Sequence, residues 1–362
     1  MCLESLIPMA GYLSKEENQV HTLGTLLAAG EDKSWKVRLC FAKRFAQFAG
    51  AFGKEITDNN LIQTFTQLLS DNEQEVKNAA ITSLSACLKN LATEKICNFI
   101  LPALTKTYSD SSFLFKAGTA LALCEMAPLI GKDYTQQRII PVMQELLKVE
   151  NSEVRINCIQ NYYKIADVLG TDLISPTFLT TITSMTKEEK WRVRYYTVEL
   201  IGQLSIRFGR EVYQKQFESV FIGFLTNSAS AVREMGIVQA AAIGKKFGPE
   251  WIIGSFIPKV VEAFNHDKQP FNYRITCLLS LSAMIPFLHE DKITEYIVPT
   301  LVKACSDKVP NVQFTNAKII KKNKAAFDQN VLKDALIPKL RENTQEADKD
   351  VAYYAKVALD EV

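Results

Sequence analysis

The chain has 362 residues, of which 47% are hydrophobic and 23% are charged, with only 15 glycines and 12 prolines. This composition supports a continuous apolar core and excludes a disordered or low-complexity chain. The 42 basic and 40 acidic residues leave a net charge of +2, which provides no global field to attract nucleic acid or an anionic membrane. We therefore predict a folded chain that has neither of these as a partner.

Eight cysteines lie mostly in apolar runs, and no two of them have the close spacing of a zinc site or a redox motif. They are Cys2, Cys40, Cys87, Cys97, Cys124, Cys158, Cys277 and Cys305. We predict buried free thiols in a reducing compartment. Because the sequence shows no signal peptide and no long apolar span, the expected location is the cytoplasm, with the nucleus as a second compartment.

The first sixteen residues contain a short apolar run that includes Leu3, Leu6 and Ile7 and lacks the basic flank of a targeting segment. As a helix, this segment would need a neighbour to cover its apolar face. We predict that residues 1–16 form the last helix of a repeat whose first half is absent.

A bulky apolar residue then recurs along the rest of the chain at steps of 39 residues, with one step of 41. This column consists of Val37, Val76, Phe115, Val154, Val193, Val232, Tyr273, Val312 and Val351. Periods in this range indicate stacked repeats rather than one closed domain. Residues 132–170 show one cycle most clearly, with a helix that contains Pro141, a polar turn, a second helix and a final Gly170.

Glycine and proline keep fixed offsets from this apolar column. Glycine stands sixteen residues after it in five repeats, where a chain that leaves a helix needs a left-handed residue: Gly53, Gly131, Gly170, Gly209 and Gly248. Proline stands thirteen residues before it, allowing for the two-residue insertion ahead of Tyr273, at Pro102, Pro141, Pro258, Pro299 and Pro338. We predict that these prolines bend the first helix of their repeats.

Charged residues flank the column as well. An acid or amide stands five residues before it at Asp32, Asp71, Asp110, Glu188, Asn227, Asp307 and Glu346. A base stands one residue after it at Arg38, Lys77, Lys116, Arg155, Arg194, Arg233 and Arg274. We predict a ladder of pairs within or between repeats, with a merely solvated charged turn as the alternative. Val149 and Lys268 lack the acid, and Gln313 and Ala352 lack the base.

The sequence contains little that could carry out a reaction. His21 lies far along the chain from His266 and His289, and the common motifs for zinc, phosphate, dinucleotide or nucleophilic chemistry are absent. Carboxylates at the turns are explained by helix capping. We predict no enzymatic activity and no catalytic, cofactor or metal site.

Large aromatic side chains in the turns are the clearest functional signal. Trp35 and Trp191 stand two residues before the column, each followed by a base, Lys36 or Arg192, and Phe271 has the same offset. Tryptophan and arginine are enriched at the energetic centres of protein interfaces. Packing against the adjacent turn is the alternative for these residues. Trp251 instead begins a first helix and is predicted to lie in the core.

Paired helices with an internal proline, an Asp-x4-Val-Arg turn and a trailing glycine resemble the HEAT repeat. The resemblance predicts an all-α fold, a HEAT-repeat α-solenoid of about nine helical hairpins plus the leading half repeat. We expect a single solenoid over residues 1–362, with the C-terminal five repeats at about 171–362.

The turns themselves resemble a narrower family. Glu31 to Arg38, Lys190 to Arg194, Phe247 to Trp251 and Asn311 to Phe314 are similar to successive repeats of the scaffolding A subunit of type 2A serine/threonine protein phosphatases. That family has fifteen repeats, so this chain looks like its C-terminal three-fifths. The match is expected to run over essentially the whole chain.

Members of the family are non-catalytic, and they hold a phosphatase catalytic subunit on the C-terminal five repeats and a regulatory B-type subunit nearer the N-terminus. The resemblance implies that Trp191, Arg192 and Asn311 contact the catalytic subunit. It also implies that Trp35 and Lys36 lie on the side of the regulatory subunit. Phe271 is added as a partner-binding residue because of its offset.

Three departures from the family pattern are expected to weaken or retune binding of the catalytic subunit. Ser230-Ala231 lacks a bulky turn residue, Gln313 replaces an arginine, and the insertion at 268–272 reshapes one turn. Two other functions stay open. The chain could be a HEAT-repeat adaptor of another class, for transport or complex assembly, or a truncated decoy that occupies the catalytic subunit without a regulatory partner.

Overall fold

The computed structural model describes residues 2–109, 112–266 and 268–361. These residues form α-helices with π-helical and 3-10 turns, and no β-strand occurs among them. They divide into two compact units, Met1–Ser184 (unit 1) and Met185–Val362 (unit 2). The all-α prediction is therefore confirmed, whereas a single solenoid over 1–362 stays a prediction.

In unit 1, each second helix of a repeat packs on the second helix of the next repeat. These second helices are Trp35–Ile56, Gln74–Cys87, Phe113–Tyr134 and Ser152–Leu169. The first helices are Lys15–His21 with Leu23–Gly30, Thr57–Leu61 with Ile62–Leu68, Thr93–Lys95 with Ile96–Ile100 and Leu101–Thr107, and Thr135–Ile139 with Ile140–Leu146.

The helix Cys2–Tyr12 packs on Trp35–Ile56 in the same way as one second helix packs on the next. It therefore occupies the place of a second helix, and the predicted half repeat is confirmed. Its end lies slightly before residue 16, because Ser14 already caps the next helix. The Ser14 hydroxyl accepts from the Glu17 N–H, and the Glu17 carboxylate accepts from the Ser14 N–H.

Unit 2 repeats the arrangement, with successive second helices again packed on each other. Its second helices are Trp191–Phe208, Ser230–Phe247, Phe271–Met284, Pro310–Asn323 and Lys349–Glu361. Its first helices are Arg210–Val212 with Tyr213–Phe217 and Glu218–Phe224, Pro249–Trp251 with Ile252–Phe256 and Ile257–Asn265, Glu290–Tyr296 with Val298–Cys305, and Gln329–Val331 with Leu332–Leu336 and Ile337–Asn343. The helix Pro176–Thr186 contains the boundary between the units. The described part of the chain thus contains the nine predicted hairpins.

The apolar column lies in the first turn of each second helix and supplies part of the core. Seven of its members are fully buried: Val76, Phe115, Val154, Val193, Val232, Val312 and Val351. Val37 and Tyr273 are partly exposed. Burial of one such side chain contributes roughly 1.5–3 kcal/mol, so the sequence period reflects the core of the fold.

All five glycines of the glycine column have positive φ, between 59° and 87°. This confirms the prediction that these positions need glycine. The ψ values correct the predicted left-handed helical conformation, because ψ is 169° at Gly53 and 177° at Gly209. Positive φ with extended ψ is accessible essentially only to glycine. Repeats without this glycine connect their helices through the 3-10 turns Leu88–Asn90, Ile285–Phe287 and Lys324–Ala326.

We expect Gly53→Ala to destabilise the protein by about 1–3 kcal/mol, because alanine would be strained at φ 79° although no atom lies within 4 Å of its Cβ. Gly50 is the matched control. It lies three residues earlier on the exposed side of the same helix, also has free space for a Cβ, and lacks the positive φ. Gly50→Ala should therefore stabilise by about 0.5–1 kcal/mol. Urea denaturation of the two variants measures both effects, and equal changes would contradict the conformational explanation.

The prolines do not cause the break in the first helix. A five-residue π-helical turn precedes Pro102, Pro141, Pro258 and Pro338, but the same turn occurs at Thr57–Leu61 and Tyr213–Phe217, where no proline follows. The π-turn thus forms with and without a following proline, and Pro299 follows a break at Ile297 that has no π-turn. Where both occur, the widened turn accommodates proline because it already disrupts the regular hydrogen-bond pattern. The prediction that proline bends the helix was wrong about the cause.

The charge ladder connects neighbouring repeats at three rungs among the described residues. Arg38 donates two hydrogen bonds to the Asp71 carboxylate, Nε to Oδ2 at 2.7 Å and Nη2 to Oδ1 at 3.0 Å. Arg274 binds Asp307 in the same bidentate way, at 2.8 and 2.7 Å. Arg194 Nε donates to the Asn227 amide oxygen at 3.3 Å. Pairing between repeats is therefore confirmed at these rungs, while Asp110 lies outside the described residues.

Where the next repeat lacks the acid, the basic residue of the ladder contacts other groups. Arg233 faces the repeat in which Lys268 replaces the acid, and its Nε donates instead to the Thr276 hydroxyl at 3.0 Å. Its guanidinium also lies 5.5 Å from the centre of the Tyr273 ring. In the repeat that follows that of Lys116, Val149 stands in place of the acid. The Lys116 ammonium lies instead 5.9 Å from the centre of the Phe113 ring.

Stability should fall in acid partly through Asp71. Burial raises its pKa, but the hydrogen bonds from Arg38 and the Glu73 N–H outweigh burial, so the pKa is lower in the folded protein than in the unfolded chain. A carboxyl group whose pKa is lower in the folded protein stabilises the folded state at pH values above its pKa in the unfolded chain. This stabilisation is lost as the pH falls through the folded-state pKa. We expect Asp71→Asn to be less stable than the wild type at neutral pH, with the difference shrinking in acid. Urea titrations at several pH values measure this, and a constant difference would contradict it.

One stretch, Phe113–Leu146, has 34 residues and contains an 18-residue window with a mean hydropathy of 1.5, which is long and apolar enough to cross a membrane. The expectation of no long apolar span therefore does not hold for it. Half of its apolar window is buried inside the protein, as in a core helix. Gly131, at φ 80°, also interrupts the helix within this stretch.

The cysteines whose side chains are described are free thiols, five of them buried, as predicted. The side chain of Cys2 lies outside the described residues. Burial raises the pKa of Cys277 to about 12 and that of Cys305 to about 11. These thiols are therefore protonated at neutral pH and chemically inert.

Candidate partner-binding surface

Large aromatic residues stand in the first turn of alternate second helices. Trp35 and Phe113 in unit 1 and Trp191 and Phe271 in unit 2 are 36%, 55%, 46% and 42% exposed. The intervening repeats carry Gln74, Ser152, Ser230 and Pro310 at this position, and the alternation ends at the last second helix, which carries Lys349. Sequence reasoning missed Phe113, although its offset from Phe115 equals that of Trp35 from Val37. We call these four aromatic residues the turn aromatics.

The turns that present these side chains are fixed by hydrogen bonds from the ladder arginines. Arg38 Nη1 donates to the Asp32 carbonyl at 2.7 Å, and the Asp32 carboxylate accepts from the Ser34 N–H at 2.7 Å. Arg194 Nη1 donates to the carbonyls of Glu188 and Glu189. Each turn is therefore rigid because of residues other than its tryptophan, which leaves the tryptophan available for a partner.

The six predicted partner-binding residues are all exposed: Trp35, Lys36, Trp191, Arg192, Phe271 and Asn311. They occupy the first turns of four second helices and form no single cluster. The Lys36 ammonium lies 5.9 Å from the centre of the Trp35 ring. Each turn thus exposes a small aromatic or charged surface.

Trp191 belongs to an aromatic group that sequence reasoning missed. Its ring meets the Tyr195 ring edge to face, with centroids 6.3 Å apart, and Tyr195 meets Tyr196 at 5.1 Å. Residues four apart share one face of a helix, which could have revealed the pairing of Trp191 with Tyr195 from the sequence. The contact lies within one helix, and nearly half of the indole surface stays exposed.

A second aromatic group lies on the helix that begins beside Asn311. The Lys318 ammonium lies 4.7 Å from the Phe314 ring centre and 3.8 Å from the Tyr354 ring centre. The two rings are 5.6 Å apart. The cation of Lys318 is therefore already paired with aromatic rings of its own chain.

The titratable side chains that the structure describes form few close groups. His289 Nδ1 lies 2.9 Å from the Asp291 carboxylate on an exposed helix start. Among the described residues, no three or more His, Cys, Asp and Glu side chains are placed to hold a metal ion. The features that stand out in the described geometry are the exposed aromatic and charged side chains of the turns.

Comparisons with known proteins identify related sequences for part of the chain. A family model described as PPP2R1A-like HEAT repeat matches residues 54–131. The human 65 kDa regulatory A subunit of serine/threonine-protein phosphatase 2A, beta isoform, is 34% identical over 122 residues, 33% of this chain and 20% of the human protein. The regulatory A subunit of protein phosphatase PP2A from Saccharomyces cerevisiae is 30% identical over 122 residues, 32% of this chain and 19% of the yeast protein.

A relative of another phosphatase matches more of the chain at lower identity. The human serine/threonine-protein phosphatase 4 regulatory subunit 1 is 24% identical over 181 residues, 48% of this chain and 19% of that protein. Each match thus spans about a fifth of the relative's own length. The resemblance to the type 2A scaffold proteins is confirmed, but at a divergent level and over a third of the chain rather than the whole.

Solved structures with the same fold cover nearly all of the chain. The karyopherin Kap121p superposes with a TM-score of 0.68 at 16% identity, covering 93% of this chain and 37% of Kap121p. Importin beta superposes with a TM-score of 0.69 at 14% identity, covering 95% of this chain and 45% of importin beta. Both are helical-repeat proteins, so the HEAT-repeat fold is confirmed. Because the sequence identity is this low, the similarity is evidence for the fold and not for a shared function.

Proposed function

We propose that this chain, which carries a PPP2R1A-like HEAT repeat and is a divergent relative of the type 2A phosphatase A subunits, is a non-catalytic phosphatase scaffold. It binds a serine/threonine phosphatase catalytic subunit through the turns of unit 2. It positions a regulatory B-type subunit through turns of unit 1. A scaffold of this kind acts by raising the effective concentration of one bound partner near the other.

The similarity to two phosphatase A subunits, in human and yeast, is the observation that carries this proposal. The family match at residues 54–131 lies in unit 1. Trp191, Arg192, Phe271 and Asn311 lie outside that range, and their assignment rests on exposure and turn position. Exposed aromatic and arginine side chains are the types that dominate binding energy at protein interfaces.

The chemistry of the first turns fits two different partners. In unit 1, Trp35 carries Lys36 beside its ring, and a groove of about 430 Å³ is lined by Lys36, Lys43 and Arg44. Glu4 also lines this groove and pairs with Arg44, so the two lysines supply its net positive charge. This basic surface suits an acidic region of the regulatory subunit. In unit 2, the negative charges of Glu199 and Glu234 act on Tyr195, whose ring meets that of Trp191. The partners of the two units are thus expected to differ in charge.

A catalytic subunit of the phosphatase 4 type is the second candidate partner. The phosphatase 4 regulatory subunit matches 48% of this chain, a longer stretch than either type 2A relative. Its lower identity of 24% makes it the second choice.

Co-purification tests the proposal and ranks the two candidates. The full chain is immobilised and mixed separately with purified type 2A and type 4 catalytic subunits, each with and without a B-type subunit. We expect the chain to retain the type 2A catalytic subunit together with a B-type subunit. Retention of only the type 4 subunit would select the second candidate, binding without any B-type subunit would favour a decoy, and retention of neither catalytic subunit would refute the scaffold function.

A further inference from the structure

The face of unit 2 around Trp191 combines aromatic rings with carboxylates. Trp191, Tyr195 and Glu199 follow one another at intervals of four residues on the helix Trp191–Phe208, so they share one face. Tyr195 and Glu199 are partly buried. Glu234 comes from the next second helix, Ser230–Phe247, which packs on the first.

Glu199 has no partner on its own chain. No hydrogen bond or ion pair of its carboxylate occurs among the described residues, and burial raises its pKa. The pKa of Tyr195 is raised by burial first, and then by the negative charges of Glu199 and Glu234 together with Tyr196. Glu199 lies one helical turn after Tyr195, and Glu234 lies on the helix that packs beside it. An unpaired carboxylate removed from water is unfavourable until a cation binds it.

Three other aromatic residues of this chain already have a cation over their ring, although, among the described residues, Phe271 and Tyr353 are exposed without one. Lys36 lies over Trp35 and Lys116 over Phe113, each at 5.9 Å, and Lys318 lies over Tyr354 at 3.8 Å. Within the described residues, no lysine or arginine lies over Trp191 or Tyr195. The rings and the carboxylate at this site thus lack the same component, a positive charge.

Neighbouring arginines are placed for other roles. Arg194 is directed toward the carbonyls of its own turn and toward Asn227. Arg192 is exposed one position after Trp191, which is about 100° around the helix from it.

We propose that Trp191, Tyr195, Glu199 and Glu234 form a binding site for an arginine side chain of a partner protein. The planar guanidinium stacks on an aromatic ring while its N–H groups donate in a fork to a carboxylate. A lysine ammonium satisfies the charge but offers no plane to stack. An apolar side chain would bury Glu199 further without pairing it, which costs free energy.

This inference rests on the proposed function for the identity of the partner, but the chemistry of the site is tested separately. The full chain is labelled with 5-fluorotryptophan, and the 19F signal of Trp191 is assigned by its loss in Trp191→Phe. The probe is the peptide Gly-Arg-Gly-Arg-Gly, with twins that carry lysine or glutamate in place of arginine. Trp35 and Trp251 supply internal reference signals.

We expect a saturable shift of the Trp191 signal with the arginine peptide, at least threefold weaker binding of the lysine twin, and no shift with the glutamate twin. Glu199→Gln, which preserves side-chain shape, should raise the Kd at least fivefold. Glu211→Gln is the matched control, because it removes the same charge from an exposed i,i+4 pair with Lys215 on a first helix of unit 2. It should leave the Kd unchanged.

No shift at Trp191, equal shifts at all three tryptophans, equal binding of the lysine twin, or an unchanged Kd in Glu199→Gln would each overturn the inference. The same variants are then tested for binding of the type 2A catalytic subunit. If the peptide shifts the Trp191 signal but the catalytic subunit does not bind, the proposed function is refuted and the arginine site is supported. Catalytic-subunit binding that is unaffected by Glu199→Gln, with no peptide shift, removes the arginine site alone.

Discussion

Replacing Trp191 with alanine is expected to weaken binding of the type 2A catalytic subunit by about 2 kcal/mol or more, roughly a thirtyfold increase in Kd. The indole is 46% exposed in the free protein, so it offers a large apolar surface to a partner. Its removal leaves the turn intact, since Arg194 and not Trp191 holds the carbonyls of Glu188 and Glu189. Isothermal titration calorimetry with purified catalytic subunit measures the change.

Trp35→Ala is the matched control for this variant. Trp35 has the same offset in its repeat and is 36% exposed, but it lies on the surface proposed for the regulatory subunit. It should leave the affinity for the catalytic subunit unchanged and weaken binding of the B-type subunit instead. If both variants weakened binding of the catalytic subunit equally, the assignment of the two turns to different partners would be contradicted. An unchanged affinity in Trp191→Ala would make Trp191 a residue that only packs on Tyr195.

The sequence predicted the repeat frame well because the frame depends on local, periodic requirements. Val193 is buried and Gly209 has positive φ, and other repeats place the same demands on the same positions. An apolar residue and a glycine therefore recur at fixed offsets. The Arg38 and Asp71 pair was predictable for the same reason, since each repeat presents the same two positions to the next one.

Other features could not be predicted from the period. A π-turn occurs both ahead of Pro141 and at Tyr213–Phe217, where no proline follows, so no single residue type marks it. Only the recurring prolines are visible in the sequence, which is why proline was predicted to cause the bend. The group around Trp191 depends on Glu234, which comes from another helix and shows no fixed relation to Trp191 in the repeat pattern. Functional side chains vary from repeat to repeat, because only the frame has to be the same in each.

Trp251 was predicted to lie in the core, and the structure confirms it, with no exposed surface. Its ring packs against Tyr213, Phe247 and Phe256, with centroids 5.7, 5.6 and 5.4 Å away. We expect Trp251→Ala to destabilise the protein by about 3–5 kcal/mol, because a cavity would open among these aromatic rings. Urea denaturation followed by circular dichroism measures the loss.

The two tryptophans Trp251 and Trp191 therefore separate stability from binding within one unit. Trp191→Ala should change the free energy of unfolding by less than about 0.5 kcal/mol, as expected for a surface position. Trp251→Phe should cost less than half as much as Trp251→Ala, because the indole N–H has no hydrogen-bond partner to lose and a phenyl ring fills part of the space. A cost below about 1 kcal/mol for Trp251→Ala would mean that neighbouring helices close the cavity, as a stack of repeats held only by its neighbours can do.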